Sequence, residues 1–343
     1  MVKKDIELLC IGNALIDVFA NGEEGTNYGL TQPVQHIEMK KMEKILPTLP
    51  DHVMVSGGGA ANVAKIAGNL GAKVAFTGAI GTDRFGQLFA EELRAAAVKL
   101  RLAEKPLPTG LCLVLRTGDK TQIAASPSAS FELSEKDMNE ADIKAAKVVM
   151  IDGYILDRPG LVKHILALAD KHGTVAAIDL GSTAIAREHA TEIAAYTEEY
   201  PLILFMNEEE FRAFCDALTS NKKPKEYYFY YFLRILYSSE RKNNRKIEKP
   251  QTRDPIQVIK LKENGVVCIA GGTVYPSKTE TITPLESTGS GDAFCAGFLT
   301  AWVRGKPIPK CAAMGNKAAG IMLNVMGTQI TDQAKKSLNV LLH

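Results

Sequence analysis

Thr288-Gly289-Ser290-Gly291-Asp292-Ala293-Phe294 is the stretch on which the reading of this chain turns. Two glycines one residue apart permit a tight turn and expose main-chain N–H groups. The apolar, alanine-rich run after Asp292 predicts a helix, Ala293 to Val303. The first N–H groups of a helix have no partner within it, and its dipole is positive at that end. The stretch thus reads as an anion site with a carboxylate beside it, a pairing that suits phosphoryl transfer. The same residues would also serve as a plain cap on a buried helix. A dinucleotide fingerprint is excluded, because Phe294 stands where GxGxxG needs its last glycine, and no GK[ST] follows as in a Walker loop.

Working outward, a second glycine cluster, Gly57-Gly58-Gly59-Ala60-Ala61-Asn62, fails the fingerprint in the same way, with Asn62 in the last position. Its glycines let a ligand approach the main chain, and Asn62 can both donate and accept hydrogen bonds, which suits sugar hydroxyls; the cluster would equally serve as a strand-to-helix turn in which Asn62 satisfies local backbone. Asp17 lies inside the apolar run Ala14 to Ala20. A carboxylate there needs partners, from its own loop or, together with Asn13, from a polyhydroxyl ligand. Asn207-Glu208-Glu209-Glu210 follows an apolar strand. Its carboxylates read as first-turn helix residues or as organisers of water-bound Mg²⁺.

Between these marks, strand-like and helix-like stretches alternate. Ile6–Ile11, Val53–Ser56, Val74–Ile80, Val148–Ile151, Thr174–Asp179, Leu202–Met206 and Gly265–Ala270 read as strands. Lys40–Leu49, Ala60–Leu70, Arg84–Ala97, Pro159–His172, Glu188–Tyr196, Ala293–Val303 and Ile308–Asn324 read as helices. That rhythm predicts an α/β fold, a central, mostly parallel sheet with helices on both faces. Gly110–Arg116 and Thr121–Ala125, joined by Thr117-Gly118-Asp119-Lys120, interrupt it as a hairpin belonging to a small β appendage.

The chain has 343 residues, 46% of them hydrophobic and 23% charged. That is core material for one large domain, and it excludes disordered or collagen-like chains. Lys and Arg number 41 against 39 Asp and Glu, so the balance demands neither nucleic acid nor a membrane surface. The six cysteines form no CxxC pair and read as free buried thiols in a reducing compartment. With no signal-peptide core and no apolar span, a cytoplasmic protein is expected. The segment 221–253 is unusual: it holds seven of the 23 aromatic residues and ten Lys or Arg against three Glu. It reads as a basic, aromatic insertion, an amphipathic helix and a solvated loop, with partner binding as the alternative.

Taken together, the motifs resemble the ribokinase or PfkB family of sugar and nucleoside kinases along essentially the whole chain. Ser56 to Asn62, followed through Gly78, Gly81, Asp83 and Gly86, matches its N-terminal mark. Thr288 to Asp292 with Phe294 and Gly297 matches its C-terminal mark. Asn207 and Glu210 match its NxxE element. The resemblance implies one ribokinase-like domain over 1–343, with a small β lid from about 19–38 and 107–125. It implies ATP with Mg²⁺, and transfer to the primary hydroxyl of a sugar or nucleoside. Asp292 would be the base, and Gly289, Ser290 and Gly291 the anion hole. Asn13, Asp17, Gly57, Gly58 and Asn62 would hold the acceptor. Asn207, Glu210, Gly271, Thr288, Gly291 and Asn316 would serve the nucleotide, with Glu210 reaching Mg²⁺ through water.

Some positions depart from the family pattern. Glu286 and Ser287 stand where Asp-Thr is usual, which leaves a monovalent-cation site in doubt, and Ser290 replaces Ala in a hole built from backbone. Gly12 to Val18 and Gly153-Tyr154 resemble adenosine-kinase-like members more than ribokinase itself. A monomer or a lid-mediated homodimer both suit the family. An oxidoreductase would need a glycine fingerprint after the first strand, where Gly12-Asn13-Ala14 stands. A non-catalytic scaffold would be marked by loss of the base, and Asp292 is present.

Overall fold

The computed structural model describes residues 4–21, 25–118, 120–219, 255–280, 282, 288–325, 328 and 330–340. The insertion at 221–253 and the departures Glu286 and Ser287 lie outside the described residues.

Of the strands that the alternation predicts, all but Val53–Ser56, which joins the second sheet, pair in one central sheet. Strands β1 (Ile6–Ile11), β5 (Val74–Gly81), β6 (Lys99–Lys105), β9 (Ala146–Asp152), β10 (Val175–Asp179), β11 (Leu202–Asn207), β12 (Ile256–Lys260), β13 (Val266–Ala270) and β14 (Thr273–Ser277) form one sheet. Its spatial order is β14-β13-β12-β11-β10-β9-β1-β5-β6. The pairs from β6 across to β12 are parallel, and β12-β13-β14 close one edge antiparallel. Both faces are covered, so β1, β5 and β9 are buried almost end to end, the condition that favours unbroken apolar strands over alternating ones. Leu8, Cys10, Phe76, Val148 and Phe205 belong to the core cluster on one face; Leu9, Ile11, Val149, Ile178 and Leu204 belong to that on the other.

Sheet order reverses around β1: the chain runs outward through β5 and β6 on one side and through β9 to β14 on the other. Helices on opposite faces diverge at such a switch point and leave a crevice at the carboxyl ends of the strands. Helix α2 (Gly59–Asn69) and the helix here numbered α9 (Ser290–Val303) both begin at this end. α9 is almost wholly buried. Phe294 and Phe298 stack with centroids 6.1 Å apart, and Phe205 meets them edge-on at 6.4 and 5.3 Å.

A second sheet runs β3-β8-β7-β2-β4, from β2 (Leu15–Asn21), β3 (Val34–His36), β4 (Val53–Gly57), β7 (Gly110–Thr117) and β8 (Lys120–Ser126). The hairpin β7–β8 is where it was expected. The appendage is larger than 19–38 plus 107–125, because β2 and β4 belong to it. The run Leu15–Phe19 reads as a continuation of β1, yet Gly12-Asn13-Ala14 breaks the strand and sends β2 to pair with β4 and β7. Strands β6 and β12 and a final helix, α11 (Asp332–Val340), are additions to the sequence reading. β6 alternates exposed and half-buried residues at a sheet edge, so it carries no apolar run to announce it.

Among the described residues no helix is long and apolar enough to cross a membrane. None of the six cysteines, all among the described residues, forms a disulfide, and only Cys112 is not fully buried.

Candidate active site

The strand ends at the switch point carry the polar side chains. Asp152 ends β9 and Asp179 ends β10, and the two are paired neighbours in register. Asn207 ends β11 opposite Lys260 at the end of β12. Asn13 follows β1. The turn between β4 and α2 brings the glycine cluster against them. Gly58 caps α2 at φ +99°, and a Cβ there would stand 2.2 Å from the Asn13 carbonyl oxygen. Only glycine combines that φ with that approach. A Cβ on Gly57 would fall 2.2 Å from the Asp17 carboxyl carbon.

Asp292 lies in the first turn of α9, behind Gly289 in the left-handed region at φ +79°. Asn62, on α2, donates Nδ2–H to Asp292 Oδ2 at 2.9 Å. The Asn62 carboxamide oxygen is buried without a partner. A point 3.5 Å from Asp152 Oδ1 and 3.6 Å from Asp292 Oδ1 is where a Cβ on Gly59 would lie. Motifs 230 positions apart in sequence therefore meet at one carboxylate. Burial, then the neighbouring Asp179 charge, pushes the Asp292 carboxyl up to about 8; Asn62 and Lys260 oppose the rise. Burial likewise raises Asp152, whose Oδ2 has no partner.

Asp17 on β2 is 8% exposed. Burial lifts it to about 6, against the pull of Lys65 and a bond from Cys112. Lys65 is buried on α2, where it donates to the Ser56 carbonyl. Ser56 donates both N–H and Oγ–H to Glu92, at 2.8 and 2.7 Å. A buried cation and a carboxylate thus sit behind Asp17. Asn13 Oδ1 accepts from Arg158 at 2.7 Å, leaving its amide hydrogens as donors.

On the other side of Asp292 a cavity of about 550 Å³ is lined by Asp179, Asn207, Glu210, Lys260, Gly265, Gly289, Ser290, Gly291 and Asn316, among others. It shares Thr279, Glu280, Ile282, Asn316 and Gly320 with a cavity of about 640 Å³. Asn207 and Glu210 lock each other: Glu210 accepts from the Asn207 N–H and Nδ2–H, and Glu210 N–H donates to Asn207 Oδ1, each at 2.8 Å. Burial and Asp179 push Glu210 up to about 7, with Lys260 opposing.

The structure brings together nearly every residue named from sequence. Asn13, Asp17, Gly57, Gly58 and Asn62 stand on one side of Asp292; Gly289, Ser290, Gly291, Asn207, Glu210 and Asn316 line the cavity on the other. Thr288 immediately precedes Gly289. Gly271 does not line the groove: it is exposed in the β13–β14 turn. The glycine turn that does reach it is Lys262 to Gly265, between β12 and β13. Sequence reasoning passed over Asp152, Asp179 and Lys260. Their signal was available, since each is a charge ending an apolar run in VVMID, AAID and IQVIK, and such strand ends gather at a switch point.

The fold and site define an α/β protein whose doubly covered sheet, with a small second sheet beside it, presents a half-buried aspartate at a helix N-terminus. The family model for pfkB family carbohydrate kinases matches residues 6–335, and the chain belongs to that family. Adenosine kinase from Saccharomyces cerevisiae is 25% identical over 286 residues, 81% of each chain. A probable sugar kinase from Rhizobium etli superimposes with TM-score 0.81 at 22% identity, covering 99% of both chains. The adenosine kinase of Sinorhizobium meliloti superimposes with TM-score 0.80 at 22% identity and 98% coverage of both. A probable sugar kinase and an adenosine kinase fit almost equally, so the backbone alone does not select the acceptor.

Proposed function

We propose that the chain transfers the γ-phosphoryl group of ATP to the primary hydroxyl of a sugar, or of the sugar part of a nucleoside. The observation that carries this reading is Asp292: a half-buried carboxyl with a raised pKa, held by Asn62, at the N-terminus of a helix whose body is buried, between two polar compartments.

Asp292 accepts the acceptor's hydroxyl proton as the hydroxyl oxygen bonds to the γ-phosphorus and the bond to the bridging oxygen of ADP breaks. A base with pKa near the working pH is suited to this role. The Gly289–Gly291 turn offers backbone N–H groups to the charge on the moving group. Asp17 accepts from acceptor hydroxyls and Asn13 donates to them. The second sheet covers this side and limits the access of water, which would otherwise compete as acceptor.

The donor set also fits a divalent cation. Asp179, Glu210 and Asp292 line the groove, with Lys260 half-buried beside them among the described residues, so further positive charge between a triphosphate and these acids would favour its approach. Mg²⁺ bound with the nucleotide would supply that charge, held through water by Glu210 and oriented by Asn207.

One observation favours a nucleoside acceptor. Phe131 and Tyr154 expose their rings on the acceptor side. Phe131 packs 5.4 Å from the Arg158 guanidinium that binds Asn13, and the Tyr154 N–H bonds Asp152. Such rings suit a flat base. The test is ATP consumption with Mg²⁺ against ribose, fructose, 2-keto-3-deoxygluconate, adenosine, inosine and cytidine, with product masses checked. Turnover of a nucleoside alone supports the narrower reading. Turnover of a free sugar alone overturns it, and absence of ATP binding overturns the kinase reading.

A further inference from the structure

Lys260 occupies a position that stability alone does not favour. Its ammonium lies at the end of an apolar strand, bonded to Asp179 Oδ1 and Oδ2 at 2.9 and 3.1 Å. It stands 3.4 Å from where a Cβ on Gly291 would be, beside the first turn of α9. Cations stabilise helix C-termini; at an N-terminus the ammonium and the helix dipole have the same sign. Asp179 offsets this only in part, since its carboxylate is shared with the Cys295 thiol at 3.4 Å. Two positive fields therefore overlap in the groove beside Gly289–Gly291. The side chain keeps 15% of its surface open, and the residue lines the cavity. Burial opposes the charged form, but Asp179, Cys295 and Glu210 together outweigh it and hold the ammonium above the usual lysine range.

We infer that Lys260 is a further catalytic residue, a fixed cation that contacts the terminal phosphoryl group of the nucleotide while Asp179 holds it in place. The assignment rests on the kinase reading above. Among the described residues the other lysine lining this cavity, Lys262, is 69% exposed and paired with Glu209 at the surface, so it is not desolvated. A lysine whose ammonium is already fixed loses little freedom on meeting a phosphate, and in a site that excludes water each such contact has a large effect.

The test compares the full-length wild type with Lys260→Met and with the double variant Asp179→Asn/Lys260→Met, which removes the ion pair without stranding a buried acid. Titration calorimetry measures ATP and AMP binding in Mg²⁺. If Lys260 touches the terminal phosphoryl group, the folded double variant binds ATP about tenfold more weakly and AMP as before. With an acceptor that the wild type uses, its kcat falls about 10²–10³-fold at an unchanged acceptor KM. Equal weakening of ATP and AMP, or no change in either, overturns the assignment and leaves Lys260 as a structural partner of Asp179. A wild type that binds neither nucleotide is a separate outcome; it overturns the kinase reading and this assignment with it.

Discussion

Replacing Asp292 by Asn should inactivate the protein and stabilise it at the same time. The substitution keeps the size of the side chain and an oxygen for the Asn62 bond. Burial and Asp179 raise the Asp292 carboxyl from 3.8 to about 8. At about 1.4 kcal/mol per unit, burying the ionised form costs on the order of 5 kcal/mol relative to the neutral acid. A carboxyl whose folded pKa lies above its unfolded value binds more protons in the native state. The native state therefore loses stability as pH rises from about 4 to about 8. An amide has no such dependence. The variant should match the wild type near pH 4, gain on it steadily, and level off above pH 8. Even half the full effect, roughly 2.5 kcal/mol, is about 3–4 °C in Tm for a chain this long. Differential scanning calorimetry at steps from pH 5 to 9 reads the gap, while kcat falls about 10²–10⁴-fold. A gap independent of pH, or a variant less stable than wild type at pH 8, would refute the reasoning about this carboxyl.

Further consequences can be checked in parallel. Wild-type kcat/KM should climb as Asp292 ionises and level off above about pH 8; a profile already flat at pH 6 would assign the proton transfer elsewhere. Asn62→Ala removes the bond that lowers the Asp292 pKa, so the rising limb should move to higher pH. Gly58→Ala places a Cβ against the Asn13 carbonyl at a left-handed φ, which should cost about 1–3 kcal/mol of stability and raise the acceptor KM; unchanged thermal unfolding would contradict the geometry. Asp83 caps the helix Arg84–Ala95, accepting from Gly86 N–H at 2.9 Å, and ties it to Thr109 N–H and Oγ–H at 2.8 Å. Asp83→Ala should therefore lower stability by about 1–3 kcal/mol, measurable in denaturant titrations.

Local patterns in the chain determine much of this protein. The apolar runs of β1, β5, β9, β10 and β11, buried on both sides, could be seen as strands because nothing else buries such unbroken segments. The glycines at 57–59, 289 and 291 announced close main-chain approach, and Asp292, Asp17 and Asn62 were legible as polar residues that suit a ligand as well as a local cap, loop or turn. Where the reading fell short, the information was not local. Strands β2 and β4 belong to the second sheet because a three-residue break at Gly12–Ala14 re-aims the chain, and its direction is set by pairing with β7 nearly 100 residues away. Gly271 and Gly265 both sit in glycine-marked turns, and only the antiparallel edge decides which one faces the groove. Asp152, Asp179 and Lys260 look like ordinary strand ends until register sets neighbouring strands side by side. Composition and spacing fixed which segments bury and which turn, because those are matters of surface and backbone freedom. The pKa of Asp292, the Asp179–Lys260 pair and the meeting of Asn62 with Asp292 depend on distances between strand ends and helix N-termini, which exist only once the sheet has assembled.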